Sequence, residues 1–285
     1  MINKTLIGKN NVLFLINDAC KELEAHCNNL NLVKDNTLSR YQFKNYLLFV
    51  YPNKSFIYKH CLPDEYVVKY RPAFQIYNNK LKTNIYDLYE ILKNEEDVYY
   101  KTDTHINNKG NYIVYNYFIK ILNQRLGLNV IPKKIHLNVI HCELSTLQCG
   151  IGDLTWSDNL GNQTLSDKKD NYYFNDDIKF YCFYKIINEN NIRFLNYNLK
   201  DNTKQLEGQI VNWDIVSKNI IYIKNNNAIP LKVIIFYDSF LLAILSLYFD
   251  LFNELYLIKN IYDNEIINKI MPDFIFEFRV ERFLF

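Results

Sequence analysis

Glycine and proline are scarce, at 7 and 6 among 285 residues. That excludes collagen-like repeats and glycine-rich linkers. Charge of one sign is also missing. The 33 Lys and Arg face 31 Asp and Glu, for a net charge of +2. No whole-chain field favours nucleic acid or an anionic membrane. Long apolar runs are absent as well. The longest, over 240–249, is bounded by Asp238 and Asp250, well short of the roughly 18 residues that a spanning helix needs. The N-terminus has charges at Lys4 and Lys9 and no apolar segment of signal-peptide length around them. The short run over 12–16 stops at Asn17-Asp18. The expectation is a soluble, cytoplasmic protein with no transmembrane segment and no nucleic-acid partner.

Metal-ligand spacing is lacking too. The six cysteines are Cys20, Cys27, Cys61, Cys142, Cys149 and Cys182. Three of them directly follow a histidine, at His26, His60 and His141. Adjacent residues rarely both reach one ion, and no Cys-x2-Cys or His-x3-His pattern occurs. With no secretory context to favour disulfides, the cysteines read as buried free thiols, and no metal is expected.

What is present is ordinary globular material, 49% hydrophobic and 22% charged. A chain of this length can bury a sizeable core. Leu13-Phe14-Leu15-Ile16 reads as a short strand, and 18–30 as a helix. The continuous apolar run Tyr46–Tyr51, ended by Pro52, predicts an interior strand. The spacing of Ile85, Leu88, Tyr89 and Leu92 predicts a helix over 85–92. A short strand over 98–100 leads into a polar loop, and an amphipathic helix follows over 111–126. The stretch 131–227 is more irregular and β-rich, an inserted or decorating segment within one 1–285 domain. Beyond Pro230 the pattern alternates: strand over 233–237, helix over 240–249, strand over 254–258, helix over 265–270, strand over 273–278. Such alternation predicts a three-layer α/β fold with a mainly parallel sheet.

Two strand-to-helix junctions carry chemistry-bearing residues. One holds Asp103-Thr104-His105 followed by Asn107-Asn108-Lys109-Gly110; the other holds Tyr237-Asp238-Ser239-Phe240. Sites in parallel sheets assemble at the carboxyl ends of strands. A serine there needs a neutral imidazole as base and a carboxylate to orient that imidazole. In an extended loop, side chains at i and i+2 point the same way, so Asp103 and His105 can meet. Each motif also has a plainer reading: Asp238 as a helix N-cap, Asp103 as a turn residue.

The ordered set of motifs resembles the SGNH-hydrolase-like acyltransferases that O-acetylate alginate and related polysaccharides. It comprises Gly8-Lys9-Asn10-Asn11 before a strand and Pro52-Asn53-Lys54 followed by Leu62-Pro63. Asp103-Thr104-His105, Gly152-Asp153-Leu154 and Asp238-Ser239-Phe240 come next, and Pro272-Asp273-Phe274 through Glu281-Arg282 close it. The resemblance implies an SGNH-hydrolase-like fold with Ser239 as nucleophile, His105 as base and Asp103 as the residue orienting it. The order Asp, His, Ser is permuted relative to ordinary SGNH esterases. Gly152 is a candidate oxyanion donor, with a turn glycine the plainer reading, and Lys54 a candidate contact to substrate or to a buried carboxylate, with a surface-loop lysine the plainer reading. Arg282 is expected to pair with Glu277 or Asp273. The chain departs from the family in having Tyr237 for a glycine and Ile106 for a tryptophan.

The implied function is serine-dependent O-acetyl transfer to a carbohydrate, through an acyl-enzyme, without a cofactor. Its partners are an acyl donor and a carbohydrate acceptor. A carbohydrate acetylesterase with the same triad is the first alternative. A catalytically weak glycan-binding or structural protein on this fold is the second.

Overall fold

The computed structural model describes residues 4–33, 43–133, 136–141, 153–155, 179–188, 191–194, 203–206, 209–217 and 219–284. Thirteen strands occur among them. Strands β1 (Thr5–Ile7) and β2 (Leu13–Leu15) form an antiparallel pair. The central sheet contains β3 (Tyr46–Tyr51), β4 (Ile85–Asp87), β8 (Thr203–Leu206), β9 (Gln209–Ser217), β10 (Ile220–Lys224), β11 (Ile229–Tyr237), β12 (Phe252–Ile258) and β13 (Phe274–Val280). Their order is β4-β3-β13-β11-β12-β10-β9-β8. The strands from β4 to β12 in that order pair parallel. The pairs β12–β10, β10–β9 and β9–β8 are antiparallel. Strands β5 (His136–His141), β6 (Lys179–Asn188) and β7 (Asn191–Phe194) make a separate antiparallel sheet.

The apolar run of β3 explains the layering. Successive side chains on a strand face opposite sides. Leu47, Phe49 and Tyr51 therefore join one core with Val114, Tyr115, Phe118 and Leu122 of the long helix Asn108–Leu126. Tyr46, Leu48 and Val50 join another with Ala73 and Tyr77 of helix Pro72–Leu81 and with Ile267 of helix Asn264–Ile270. A strand buried on both faces cannot alternate apolar with polar, so its sequence reads as a continuous run. Each fully buried large apolar side chain contributes about 1.5–3 kcal/mol. The expected three-layer α/β arrangement is what forms. No helix among the described residues is long and apolar enough to cross a membrane.

Three local expectations are corrected. Residues 85–92 are not one helix: Ile85–Asp87 pairs with β3, and only Tyr89–Leu92 is helical. Edge pairing claims the first half, and the Asp87 carboxylate accepts the Tyr89 N–H at 2.9 Å to start the helical turn. The expected strand over 98–100 is a single bridge, Tyr99 to Ile106, that closes the polar loop. The segment after Ser239 forms a 3-10 helix over Leu242–Leu247 rather than an α-helix.

Candidate active site

The loop carrying Asp103 and His105 is gripped at its base. Beside the Tyr99–Ile106 bridge, Tyr100 N–H donates to the His105 carbonyl at 3.2 Å and Asn107 N–H to the Val98 carbonyl at 2.9 Å. The Asn107 side chain caps the long helix by accepting from Gly110 N–H at 3.0 Å, which moves the helix start back to Asn108. Gly110 is required by close approach. A Cβ there would meet a side-chain atom of Ile106 and the Val98 carbonyl oxygen, each at 2.6 Å. The Asn-x-x-Gly motif thus joins a cap to a tight helix–loop contact.

Ser239 follows β11, where Asp238 fixes the turn. One Asp238 oxygen accepts from Phe240 N–H at 2.9 Å and the other from Val280 N–H at the end of β13 at 2.7 Å. This ties the turn that carries Ser239 to the adjacent parallel strand, beyond the local cap read from sequence. Asn111 Nδ2 donates to the Phe240 carbonyl at 2.8 Å, linking the turn to the long helix.

The two junctions converge. Ser239 Oγ lies 2.7 Å from His105 Nε2, and His105 Nδ1 lies 2.6 Å from Asp103 Oδ1. With Nδ1–H donating to the carboxylate, Nε2 is the basic nitrogen and accepts from the serine hydroxyl. Asp103 Oδ1 also accepts the His105 backbone N–H at 2.8 Å, and Oδ2 accepts the Asp153 N–H at 3.0 Å. Burial by itself raises the Asp103 carboxyl. The hydrogen bond and charge of His105, with the two backbone N–H groups, outweigh it and hold the carboxyl at about 2. The imidazole packs 5.1 Å, centroid to centroid, from the Phe240 ring.

Lys54 occupies a different place from the substrate contact expected. It is 3% exposed. Its Nζ donates to the carbonyls of Lys101 at 2.8 Å and Asp103 at 3.0 Å, bracing the loop from behind. Burial lowers its pKa to about 7 against the opposing pull of Asp103, Asp153 and Glu22. Gly152 lies outside the described residues. Arg282 does not pair with Glu277 or Asp273. Its guanidinium contacts Glu22 at 3.2 Å and Thr104 Oγ1 at 3.3 Å, while Glu277 pairs with Arg279 at 2.8 Å. The alternation of β13 puts 277 and 279 on one face, and Arg282 lies beyond the strand in the turn Glu281–Phe283.

Tyr237 and Ile106 are both buried in the core beneath the long helix. Burial pushes the Tyr237 hydroxyl up to about 12. Asp153 belongs to the Gly-Asp-Leu motif, in which the sequence pattern points to the glycine and not to the aspartate. Its carboxylate accepts from Thr104 N–H at 2.8 Å and Thr104 Oγ1 at 2.6 Å. Asp103, His105 and Asp153 also bring possible metal-ligand atoms within 4.8 Å of one another. Short hydrogen bonds already join Ser239, His105 and Asp103 in one chain.

No family model matches the chain, and no curated protein matches it in sequence. Solved structures match its fold. Bacillus cereus PatB1 aligns with a TM-score of 0.58 at 17% identity, over 98% of this chain and 96% of that one. A DHHW family protein from Eubacterium siraeum aligns at 0.54 and 15%, over 97% and 93%. The O-acetyltransferase domain of Pseudomonas putida AlgJ aligns at 0.55 and 14%, over 99% and 92%. The chain therefore has the SGNH-like α/β fold of these proteins, matched along nearly its whole length.

Proposed function

We propose that this chain is a serine-dependent O-acyltransferase, moving an acetyl group onto a carbohydrate hydroxyl. The observation that carries the reading is the unbroken Ser239–His105–Asp103 relay, at 2.7 and 2.6 Å. Its spacing lies within the reach that nucleophile–base pairs need. The AlgJ domain with this fold is itself described as an O-acetyltransferase.

In the first step His105 Nε2 takes the Ser239 proton as Oγ bonds to the acetyl carbon. Asp103 holds the imidazole in the right tautomer and stabilises the imidazolium. The donor's leaving group then departs with that proton, leaving an acetyl ester on Ser239. In the second step an acceptor hydroxyl gives its proton to His105 and bonds to the acetyl carbon. The Oγ–carbon bond breaks, and the proton returns to Ser239. A bound sugar outcompetes water, at about 55 M, when it is held in line, because oriented groups reach effective molarities of roughly 10⁵ M.

One observation favours the esterase alternative. The His105 side chain is 30% exposed and that of Asp103 22%, so water reaches the pair. The test is incubation with an activated acetyl ester and a panel of oligosaccharides, read by mass spectrometry. Transfer predicts a gain of one acetyl on an acceptor, lost in Ser239→Ala. Acetate release that no acceptor diverts would mean an esterase. Neither product, with several donors, would leave a glycan-binding protein.

A further inference from the structure

Asp103 Oδ1 receives both His105 contacts, while Oδ2 faces the turn Asp153–Thr155 and accepts the Asp153 N–H at 3.0 Å. An Asp carboxylate rotates in a broad torsional well, so a hold on one oxygen leaves the group free to swing. The N–H of Asp153 restrains the second oxygen. The Asp153 side chain reaches the same loop from its other side. It accepts both the N–H and the hydroxyl of Thr104, the residue between Asp103 and His105. The Thr104 hydroxyl in turn accepts from Arg282 Nη2 at 3.3 Å. The turn itself is anchored. Leu154 is buried against Leu13, and its carbonyl accepts the Thr5 hydroxyl at 2.6 Å. Asp153 thus connects the β1–β2 pair to the loop that presents the base.

We propose that Asp153 is a positioning residue that fixes the Asp103–His105 pair, its carboxylate clamping Thr104 and its N–H holding the second oxygen of Asp103. The inference rests on Ser239 being the nucleophile that this pair serves. Burial and the nearby Asp103 carboxylate push the Asp153 carboxyl up. The rival account is electrostatic: Asp153 Oδ2 lies 3.8 Å from His105 Nδ1 and would act as a second negative charge on the imidazolium.

Asp153→Ala removes the clamp on Thr104, whereas Asp153→Asn keeps an acceptor oxygen and removes the charge. The rate of Ser239 labelling by a sulfonyl fluoride is measured in each. Asp153→Ala is expected to slow labelling about 10–100-fold, the scale of a small misplacement of catalytic groups. Asp153→Asn is expected to stay within about threefold of the parent, because its amide oxygen still accepts the Thr104 N–H and its amide nitrogen can donate to the Thr104 hydroxyl. Labelling of the Ala variant at the parent rate overturns the proposal. So does an Asn variant as slow as the Ala variant, which would assign the effect to charge.

A second readout does not need reactivity. In protein labelled with ¹⁵N-histidine, the low-field Nδ1–H signal of His105 should persist in the parent and in Asp153→Asn. It should broaden by water exchange in Asp153→Ala. A parent protein that never reacts at Ser239 would end the acyltransfer reading, and this signal would still decide the clamp: unchanged in the Ala variant, it overturns the proposal. If Asp153→Ala fails to fold, Thr104→Val removes the hydroxyl half of the contact. It should weaken the same signal, and an unaltered signal there also counts against the clamp.

Discussion

The ammonium of Lys54 donates to the carbonyl oxygen of Asp103 at 3.0 Å, while the carboxylate of that same residue faces His105. One residue is thus held from behind by its backbone and engaged in front by its side chain. The lysine comes from the short helix Lys54–Ile57 just after β3, so the central sheet itself supports the loop.

That support has a pH signature. Burial brings the Lys54 pKa from its ordinary 10.5 down to about 7. Between those values the unfolded chain binds a proton that the folded chain has released, so this residue's contribution to stability rises with pH across the window. It is lost as pH falls through about 7. Lys54→Met should flatten this component, read as the difference in urea midpoint between the two proteins from pH 6.5 to 9. The comparison matters because the thiols of the half-buried Cys20 and Cys27 and of the buried Cys61, all pushed up, work in the opposite direction near the top of that range.

Asp103→Asn should cost about 10³–10⁴-fold in turnover, since an amide favours the wrong imidazole tautomer. The folded protein should persist at neutral pH. In acid the variant should differ from the parent. Asp103 is held at about 2 against an ordinary 3.8, so its stabilising contribution is present above about 4 and is lost as pH falls through about 2. The Asn variant lacks that component. Circular dichroism against pH from 5 to 2 measures it. Equal acid titrations of the two proteins would contradict the assignment.

Gly110→Ala should strain the loop base. The added methyl meets Ile106 and Val98 at 2.6 Å, and Val98 presents a backbone carbonyl that cannot step aside. A loss of about 1–3 kcal/mol by chemical denaturation is expected, the scale of overpacking. Serine labelling should slow with it, because the same contact sets the exit of the His105 loop.

Arg282→Met leaves Glu22 buried opposite an apolar chain. Glu22 is 3% exposed and would keep only the Ser55 hydroxyl, at 2.7 Å, of the two partners it holds at this point. Stranding a buried charge costs about 3–5 kcal/mol. Pairing the change with Glu22→Gln should recover much of that loss in a denaturation series. A double variant as unstable as the single one would show that Arg282 acts through packing instead, for its guanidinium lies 5.3 Å from the Phe240 ring centre and 5.2 Å from that of Phe283.

Strand β3 was legible to the residue, because an apolar run between Asn45 and Pro52 has one physical solution: burial on both faces. The contact between Asp103 and His105 was legible because an i, i+2 spacing is a local property, visible without a partner, and Ser239 stood out at the end of the apolar run that forms β11. The pairings of the charged residues were not. Lys54 in a sequence is indistinguishable from a surface lysine. Arg282 and Glu22 lie 260 positions apart, and Thr5 and Leu154 lie 149 apart. Ile85 carried a helical spacing and became a strand because β3 presented an edge for it to join. Periodicity is written into neighbouring residues and sets which face an element buries. The partner of a buried charge or an open strand edge depends on which elements the folded chain brings beside it, and no local pattern encodes that.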